Sequence, residues 1–231
     1  MAARHCSRVA EGVQSVSEAV ADVEAPAELL SLCLHGNRLS HCAGLACLAA
    51  LTELNLSANA ITTLRGFAPL AHLRTLNLAS NRLESLDGLP ALPQLSRLSV
   101  AHNRISCLRG LAALHTGPAP LDNLDLRNNA LRDLTELAHV APLPGLRKLQ
   151  LAGGSHGNAI ASLPGLYAAV ATALPQVRVT ACAPAQASSR ALLKASQAAA
   201  AAPQPPSKTP TRSPTTCRCT TSTARTCGAR R

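Results

Sequence analysis

The sequence predicts an α/β solenoid in which short parallel strands stack side by side, one from each turn of the chain. One observation is a regular asparagine: 22 residues separate each of the first four, and a fifth follows them. These residues are Asn37, Asn59, Asn81, Asn103 and Asn129. The other observation is the phrase LxxLxLxxN that each asparagine ends, with valine for the third leucine in the copy that ends at Asn103. Its LxL centre alternates apolar and polar residues, as a strand with one buried face does.

A period of 20–29 residues with this phrase is the signature of leucine-rich repeats. The six units begin at Leu29, Leu51, Leu73, Leu95, Leu121 and Leu146. The first three intervals are 22 residues, the fourth is 26 and the fifth is 25, and the longer units carry Pro and Gly as loops do. We therefore expect a right-handed leucine-rich repeat solenoid with its strands on the concave face and short helices or turns on the convex face.

The five asparagines are predicted to form a structural ladder. Each lies where the backbone must turn inward after the strand. The side-chain amide offers two donors and one acceptor, which can satisfy buried backbone groups of adjacent turns. We expect loss of one rung to cost about 1–3 kcal/mol.

Composition divides the chain into four segments. Residues 1–28 predict an N-terminal half-repeat or short helix that caps the solenoid, 29–157 hold the six repeats, and 158–182 predict a C-terminal cap with a helix at 168–174. Residues 183–231 hold eight basic residues and no acidic one, and they are rich in Ala, Pro, Ser and Thr. This composition predicts a disordered basic tail. Such tails contact nucleic acid or acidic partners, and a solvated tail without a partner is the alternative.

The cysteines and the N-terminus predict a cytoplasmic protein. No apolar run reaches the roughly 18 residues that cross a bilayer, and no secretory signal is apparent. Cys42 and Cys107 stand where other units have Leu64 and Leu86, so we expect both to be buried small hydrophobes. The number of cysteines, nine, is odd, and the end caps lack the paired cysteines of secreted repeat proteins. Both observations favour a reducing compartment.

The sequence contains no pattern typical of an enzyme. It has no P-loop, GxGxxG or GxSxG, so we expect no catalysis, no cofactor and no small-molecule substrate. Cys33 and His35 share a strand face, but the next unit offers Asn55 and Ser57 there, which leaves too few ligands for zinc. One Phe and one Tyr provide little stacking surface, which disfavours nucleic acid as a partner.

The outward side of the strands is the predicted binding surface for another protein. Its side chains are polar or small, and an open sheet commonly serves this purpose in solenoids. Ordinary solvated side chains are the alternative interpretation. The predicted concave-face contacts are Glu53, Asn55, Thr75, Asn77, Arg97, Ser99, Asn123, Asp125, Arg127, Lys148 and Gln150.

The second half of each early unit resembles one subclass of leucine-rich repeats. Glycine precedes an apolar residue at Gly44, Gly66, Gly88 and Gly110. This feature is similar to the Sds22-like subclass, typified by a regulatory subunit of protein phosphatase 1. The resemblance implies that a phosphatase catalytic subunit could dock on the concave face.

A second resemblance covers residues 11–180. The opening 12–18, the lengthened unit at 111–126 and the stretched last unit before Leu163 resemble the N-terminal domain of centrosomal leucine-rich repeat and coiled-coil domain-containing proteins. The resemblance implies a non-catalytic scaffold at the centrosome, centriole or basal body, with a centriolar or cytoskeletal partner. Here no heptad pattern follows the repeats, and Ala168 follows Tyr167 where that family has arginine.

Overall fold

The computed structural model describes residues 4–115, 121–153, 157–175 and 177–180. All of them belong to one compact unit, Met1–Ala187. Within these residues, eight strands form a single parallel sheet in sequence order, which confirms the leucine-rich repeat solenoid. The strands are β1 (His5–Ser7), β2 (Ser31–Cys33), β3 (Glu53–Asn55), β4 (Thr75–Asn77), β5 (Arg97–Ser99), β6 (Asn123–Asp125), β7 (Lys148–Gln150) and β8 (Arg178–Thr180).

Short helices lie in most of the connections between strands, while turns without a helix join β3 to β4 and β4 to β5. The two α-helices are α1 (Val16–Ala19) and α2 (Leu166–Ala173), and the 3₁₀ helices are Pro26–Glu28, Leu45–Cys47, Arg109–Leu114, Leu134–His139 and Ala159–Ser162. A reciprocal pair of hydrogen bonds starts α1. The Ser15 hydroxyl accepts from the Glu18 N–H at 3.2 Å, while the Glu18 carboxylate accepts from the Gln14 N–H at 2.8 Å. This arrangement satisfies donors that the first helical turn leaves unpaired.

Leucines fill the interior between the sheet and these connections. The middle residue of every strand from β2 to β7 is a leucine no more than 2% exposed: Leu32, Leu54, Leu76, Leu98, Leu124 and Leu149. Close packing of successive units also requires glycine at one point. A Cβ on Gly110 would lie 2.1 Å from the carbonyl oxygen of Leu86, so a larger residue there would push the two units apart.

The N-terminal turn of the solenoid, which carries β1 and precedes the six repeats, differs from them because its strand does not place leucines in the interior. Strand β1 was not predicted, and Cys6 pairs in register with Leu32. Two residues further on, Arg8 occupies the position that leucine holds in the next unit. Its guanidinium contacts Asp22 at 2.7 Å and Glu11 at 3.4 Å, and the hydrogen bond that it donates to Asp22 is the main cause of a raised Arg8 pKa. A solvated ion pair therefore closes this end of the apolar interior.

One cysteine prediction is wrong. Cys42 is fully buried, but Cys107 is only partly buried, and Leu108 fills the interior position of that unit. The 22-residue step from Leu86 leads to Leu108. Cys107 instead forms an isolated parallel β-bridge with Ser85, through the backbone.

The C-terminal end of the described chain adds one more strand. Helix α2 begins two residues before the predicted 168–174, and β8 then pairs with β7 in parallel. The predicted tail, 183–231, lies outside the described residues. No described helix is long and apolar enough to span a membrane.

Candidate protein-docking face

The outward side chains of the strands form three aligned rows, which we call the sheet face. Row one is His5, Ser31, Glu53, Thr75, Arg97, Asn123, Lys148 and Arg178. Row two, at the end of each strand from β1 to β7, is Ser7, Cys33, Asn55, Asn77, Ser99, Asp125 and Gln150. Row three lies two residues further on and contains Val9, His35, Ser57, Ala79, Ala101, Arg127 and Ala152. Neighbouring members of a row lie roughly 4.8 Å apart across the sheet.

The asparagines lie beneath the edge of this face and form a continuous hydrogen-bond ladder. Each side-chain oxygen accepts an N–H from the preceding unit, and each amide nitrogen donates to carbonyls of its own and the preceding unit. Asn103 is representative: it accepts from the Leu83 N–H at 3.0 Å and donates to the carbonyls of Leu78 and Val100 at 2.9 and 3.0 Å. Asn59, Asn81 and Asn129 make the equivalent contacts. Asn37 accepts from the Val13 N–H and donates to the Arg8 carbonyl of the preceding unit and to the His35 carbonyl of its own.

The ladder has a sixth member that the sequence interpretation missed. Asn158 is 1% exposed, accepts from the Leu131 N–H at 3.2 Å, and donates to the carbonyls of Leu126 and Leu151 at 2.7 Å each. It follows Asn129 by 29 residues rather than 22. The 22-residue period alone does not predict Asn158, but its place after the last LxL segment of the sequence could have indicated it.

The residue before each of the first five asparagines has a left-handed backbone conformation, with a positive φ angle. Gly36 has a φ of 72°, and the equivalent non-glycine residues have φ between 53° and 57°. They are Ala58, Ser80, His102 and Asn128. Side chains with a Cβ are disfavoured in this region. The turn that places the ladder therefore stores backbone strain in units two to five.

Three row-two residues have a structural role of their own. The side-chain oxygens of Asn55, Asn77 and Asp125 each accept the backbone N–H two residues further on, at 3.0, 3.0 and 3.1 Å. Asparagine and aspartate commonly close such turns. Their side chains stabilise the strand ends, so they offer a partner fewer free hydrogen-bonding groups than their position suggests.

A polar network covers the N-terminal half of the face. The Ser57 hydroxyl donates to Asn55 Oδ1 at 2.7 Å, His35 Nδ1 lies 2.8 Å from that hydroxyl, and Asn55 Nδ2 lies 3.6 Å from Cys33 Sγ. Because the serine proton points to Asn55, His35 is not placed as its base, and Ser57 is only 7% exposed. No group of three His, Cys, Asp or Glu suited to a metal ion occurs among the described residues.

An ion pair fixes one arginine on the C-terminal half. Arg127 Nε donates to Asp125 Oδ1 at 2.9 Å and Nη2 donates to Oδ2 at 2.8 Å, with the Asp125 side chain only 12% exposed. The hydrogen bonding of its guanidinium to the Asp125 carboxylate raises the Arg127 pKa. A Cβ on Gly153 would lie 3.0–3.3 Å from the Arg127 side chain, so the small residue leaves room for it. Arg127 is thus held by Asp125 rather than free to follow a partner.

Three cations of row one, by contrast, project into solvent. Arg97 and Lys148 were predicted from the sequence, while Arg178 enters the row only because β8 pairs with β7. All three are exposed, and none forms an ion pair with another described residue. Glu53, on β3, is the exposed acidic residue of the same row. Thr75, Asn123, Ser99 and Gln150 are partly buried between these charges.

The repeat region matches a known family. The leucine rich repeat profile matches residues 27–83 and again residues 50–105. No curated protein matches the sequence at a significant level.

Three solved structures are similar to part of the chain. An internalin from Listeria monocytogenes has 24% identity and a TM-score of 0.46, and the match covers 61% of this chain and 45% of the internalin. A leucine-rich repeat protein of Leptospira interrogans has 27% identity and a TM-score of 0.48 over 62% and 35% of the two chains. The leucine-rich repeat domain of APL1B has 26% identity and a TM-score of 0.42 over 53% and 34%. The match spans less than half the length of each structure.

Proposed function

We propose that this leucine-rich repeat chain is a non-catalytic scaffold that binds another protein on its sheet face at the centrosome, centriole or basal body. The observation that carries the docking proposal is the sheet face itself: eight strands in register present three rows of side chains on one continuous surface. Leucine-rich repeat proteins generally act as interaction scaffolds, and the units supply an extended surface rather than an enclosed pocket. The centrosomal part of the proposal rests on the resemblance over residues 11–180.

The ladder makes this face a suitable platform. Hydrogen bonds run through consecutive units from Asn37 to Asn158, and the interior behind them is filled by leucine. A partner would therefore meet side chains whose backbone positions are already fixed. Preorganisation of this kind lowers the entropy that binding must offset.

The structure dictates which charges a binding variant should alter. Arg127→Glu would place a second carboxylate beside the nearly buried Asp125, so a loss of binding could reflect damage to the fold. Arg97 and Lys148 have no such partner among the described residues, so Arg97→Glu with Lys148→Glu alters the surface alone. Arg65→Glu with Arg132→Glu is a matched control, since both arginines are exposed outside the sheet face and the net charge changes equally.

The test is microscopy of the tagged full chain against a centriole marker in ciliated cells. We expect the wild type and the Arg65→Glu/Arg132→Glu variant to lie at the centriole. The Arg97→Glu/Lys148→Glu variant should be dispersed with an unchanged circular dichroism spectrum. Dispersed wild-type protein would refute the centrosomal role. Co-purified phosphatase activity in that case would favour the alternative, a regulatory subunit docked to the catalytic subunit of protein phosphatase 1.

A further inference from the structure

We propose that the C-terminal half of the sheet face binds an acidic segment of a partner polypeptide, with Arg97, Lys148 and Arg178 as the contacts for its carboxylates. This inference rests on the proposed docking function and specifies the partner's chemistry. The three cations lie on β5, β7 and β8 of one row. At roughly 4.8 Å per strand they span roughly 14 Å. An extended chain covers that distance with about four or five residues.

The charges around these cations leave a positive surplus. The cations that lie in strands β5 to β8 or within two residues of them are Arg97, Arg127, Arg147, Lys148 and Arg178. Their acidic counterparts are already in ion pairs. Asp125 holds Arg127, and Asp122 lies 3.9 Å from Arg147. The remaining cations therefore have no carboxylate among the described residues, and an acidic partner would supply one.

The N-terminal half of the row has the opposite character. Its exposed acidic residue is Glu53, two strands before Arg97 and roughly 10 Å from it across the sheet. The row therefore runs from negative to positive in the direction of the chain. Electrostatic complementarity favours a partner whose positive end faces Glu53 and whose acidic segment faces the three cations, and it disfavours other orientations.

This polarity favours a polypeptide over nucleic acid. A polynucleotide is negative along its whole length, so it would meet Glu53 at one end of the row. No tryptophan, tyrosine or phenylalanine occurs in the three rows, so bases would find no stacking platform. Arginine side chains, by contrast, are well suited to carboxylates because the guanidinium can donate two parallel hydrogen bonds.

The test is residue-specific NMR on the ¹⁵N-labelled full chain titrated with an octaglutamate peptide. We expect amide shifts in β5, β7 and β8 that disappear when salt is raised from about 0.05 to 0.5 M, because exposed ion pairs are screened. Arg97→Glu with Lys148→Glu should weaken binding about tenfold, while Arg65→Glu with Arg132→Glu should not. Absence of shifts on these strands, or shifts confined to β2–β4 or to residues 183–231, would overturn the inference.

Two further probes separate the alternatives. Octathymidylate that shifts the same amides more strongly than octaglutamate would point to a phosphate backbone and overturn the acidic polypeptide. Asn123→Trp adds an uncharged obstacle between the cations. If Asn123→Trp disperses the protein in cells and Arg97→Glu/Lys148→Glu does not, the face binds a partner without this charge recognition, and only the inference fails. If neither variant is dispersed, the docking function itself fails.

Discussion

Replacement of a single ladder asparagine should destabilise the fold far more than the same replacement on the sheet face. Asn103→Ala removes the acceptor of the Leu83 N–H and one donor each to the carbonyls of Leu78 and Val100. Each carbonyl keeps a second amide, from Asn81 and Asn129 respectively. The principal loss is therefore the orphaned N–H.

The structure sets the size of this effect. A buried donor without a partner costs about 1–3 kcal/mol, and the space left by the amide adds to it because the packed units relax only partly. We expect the free energy of unfolding to fall by about 2–3 kcal/mol. For a chain of this size the melting temperature should then fall by roughly 5–10 °C.

Thermal unfolding by circular dichroism measures the change, and Asn123→Ala is the control. Asn123 lies on the sheet face of the next strand, and its Oδ1 receives only a 3.5 Å contact from Gln150. We expect this variant to stay within about 0.5 kcal/mol of the wild type. Hydrogen exchange should also show that the Leu83 amide loses protection in Asn103→Ala. Equal melting temperatures for the two variants would refute the structural role assigned to the ladder.

Four more predictions concern single sites. Gly110→Ala should cost about 3 kcal/mol in urea unfolding because its Cβ would overlap a backbone carbonyl; a cost below 1 kcal/mol would contradict the close approach. Ala58→Gly should stabilise by about 0.5 kcal/mol, since it relieves a φ of 55°, and a lower urea midpoint would be the contrary result. Iodoacetamide at pH 8 should label the exposed Cys47 but not the buried Cys42, because burial raises the pKa of the Cys42 thiol to about 12. Rapid labelling of both cysteines would show that the core opens. Hydrogen bonds donated by Thr135 lower the pKa of Asp133 in the folded state. The stability that Asp133 contributes is therefore present above its unfolded-state pKa and is lost as the pH falls through its folded-state pKa. The difference in free energy of unfolding between the wild type and Asp133→Ala should therefore become smaller below roughly pH 4. A difference that stays constant with pH would contradict this role of Asp133.

The sequence predicted the six regular units because their signal is local. A leucine at every second position of the strand and an asparagine at its end reflect burial and backbone satisfaction within one unit. The register follows as soon as equivalent leucines are aligned, and strands β2 to β7 pair in that register. Cys107 was misplaced by one residue, because the 22-residue step from Leu86 leads to Leu108, which fills the interior position.

The units at the two ends could not be predicted in the same way. Cys6 in strand β1 and Arg8 just after it stand at the leucine positions, because a terminal unit covers the interior instead of extending it. Asn158 joins the ladder across a longer unit, and Arg178 joins row one through a strand with a weak pattern. Each of these placements depends on contacts with the preceding unit rather than on the residue's own neighbours in sequence.

The sequence alone determined the repeat, its phase and the composition of its interior, since hydrophobic periodicity and hydrogen-bonding capacity are properties of each short segment. Only the tertiary structure decided which surface charges are free. Whether Arg127 is held by Asp125 while Arg97 remains open to a partner depends on side-chain geometry across the sheet, which no periodic pattern records.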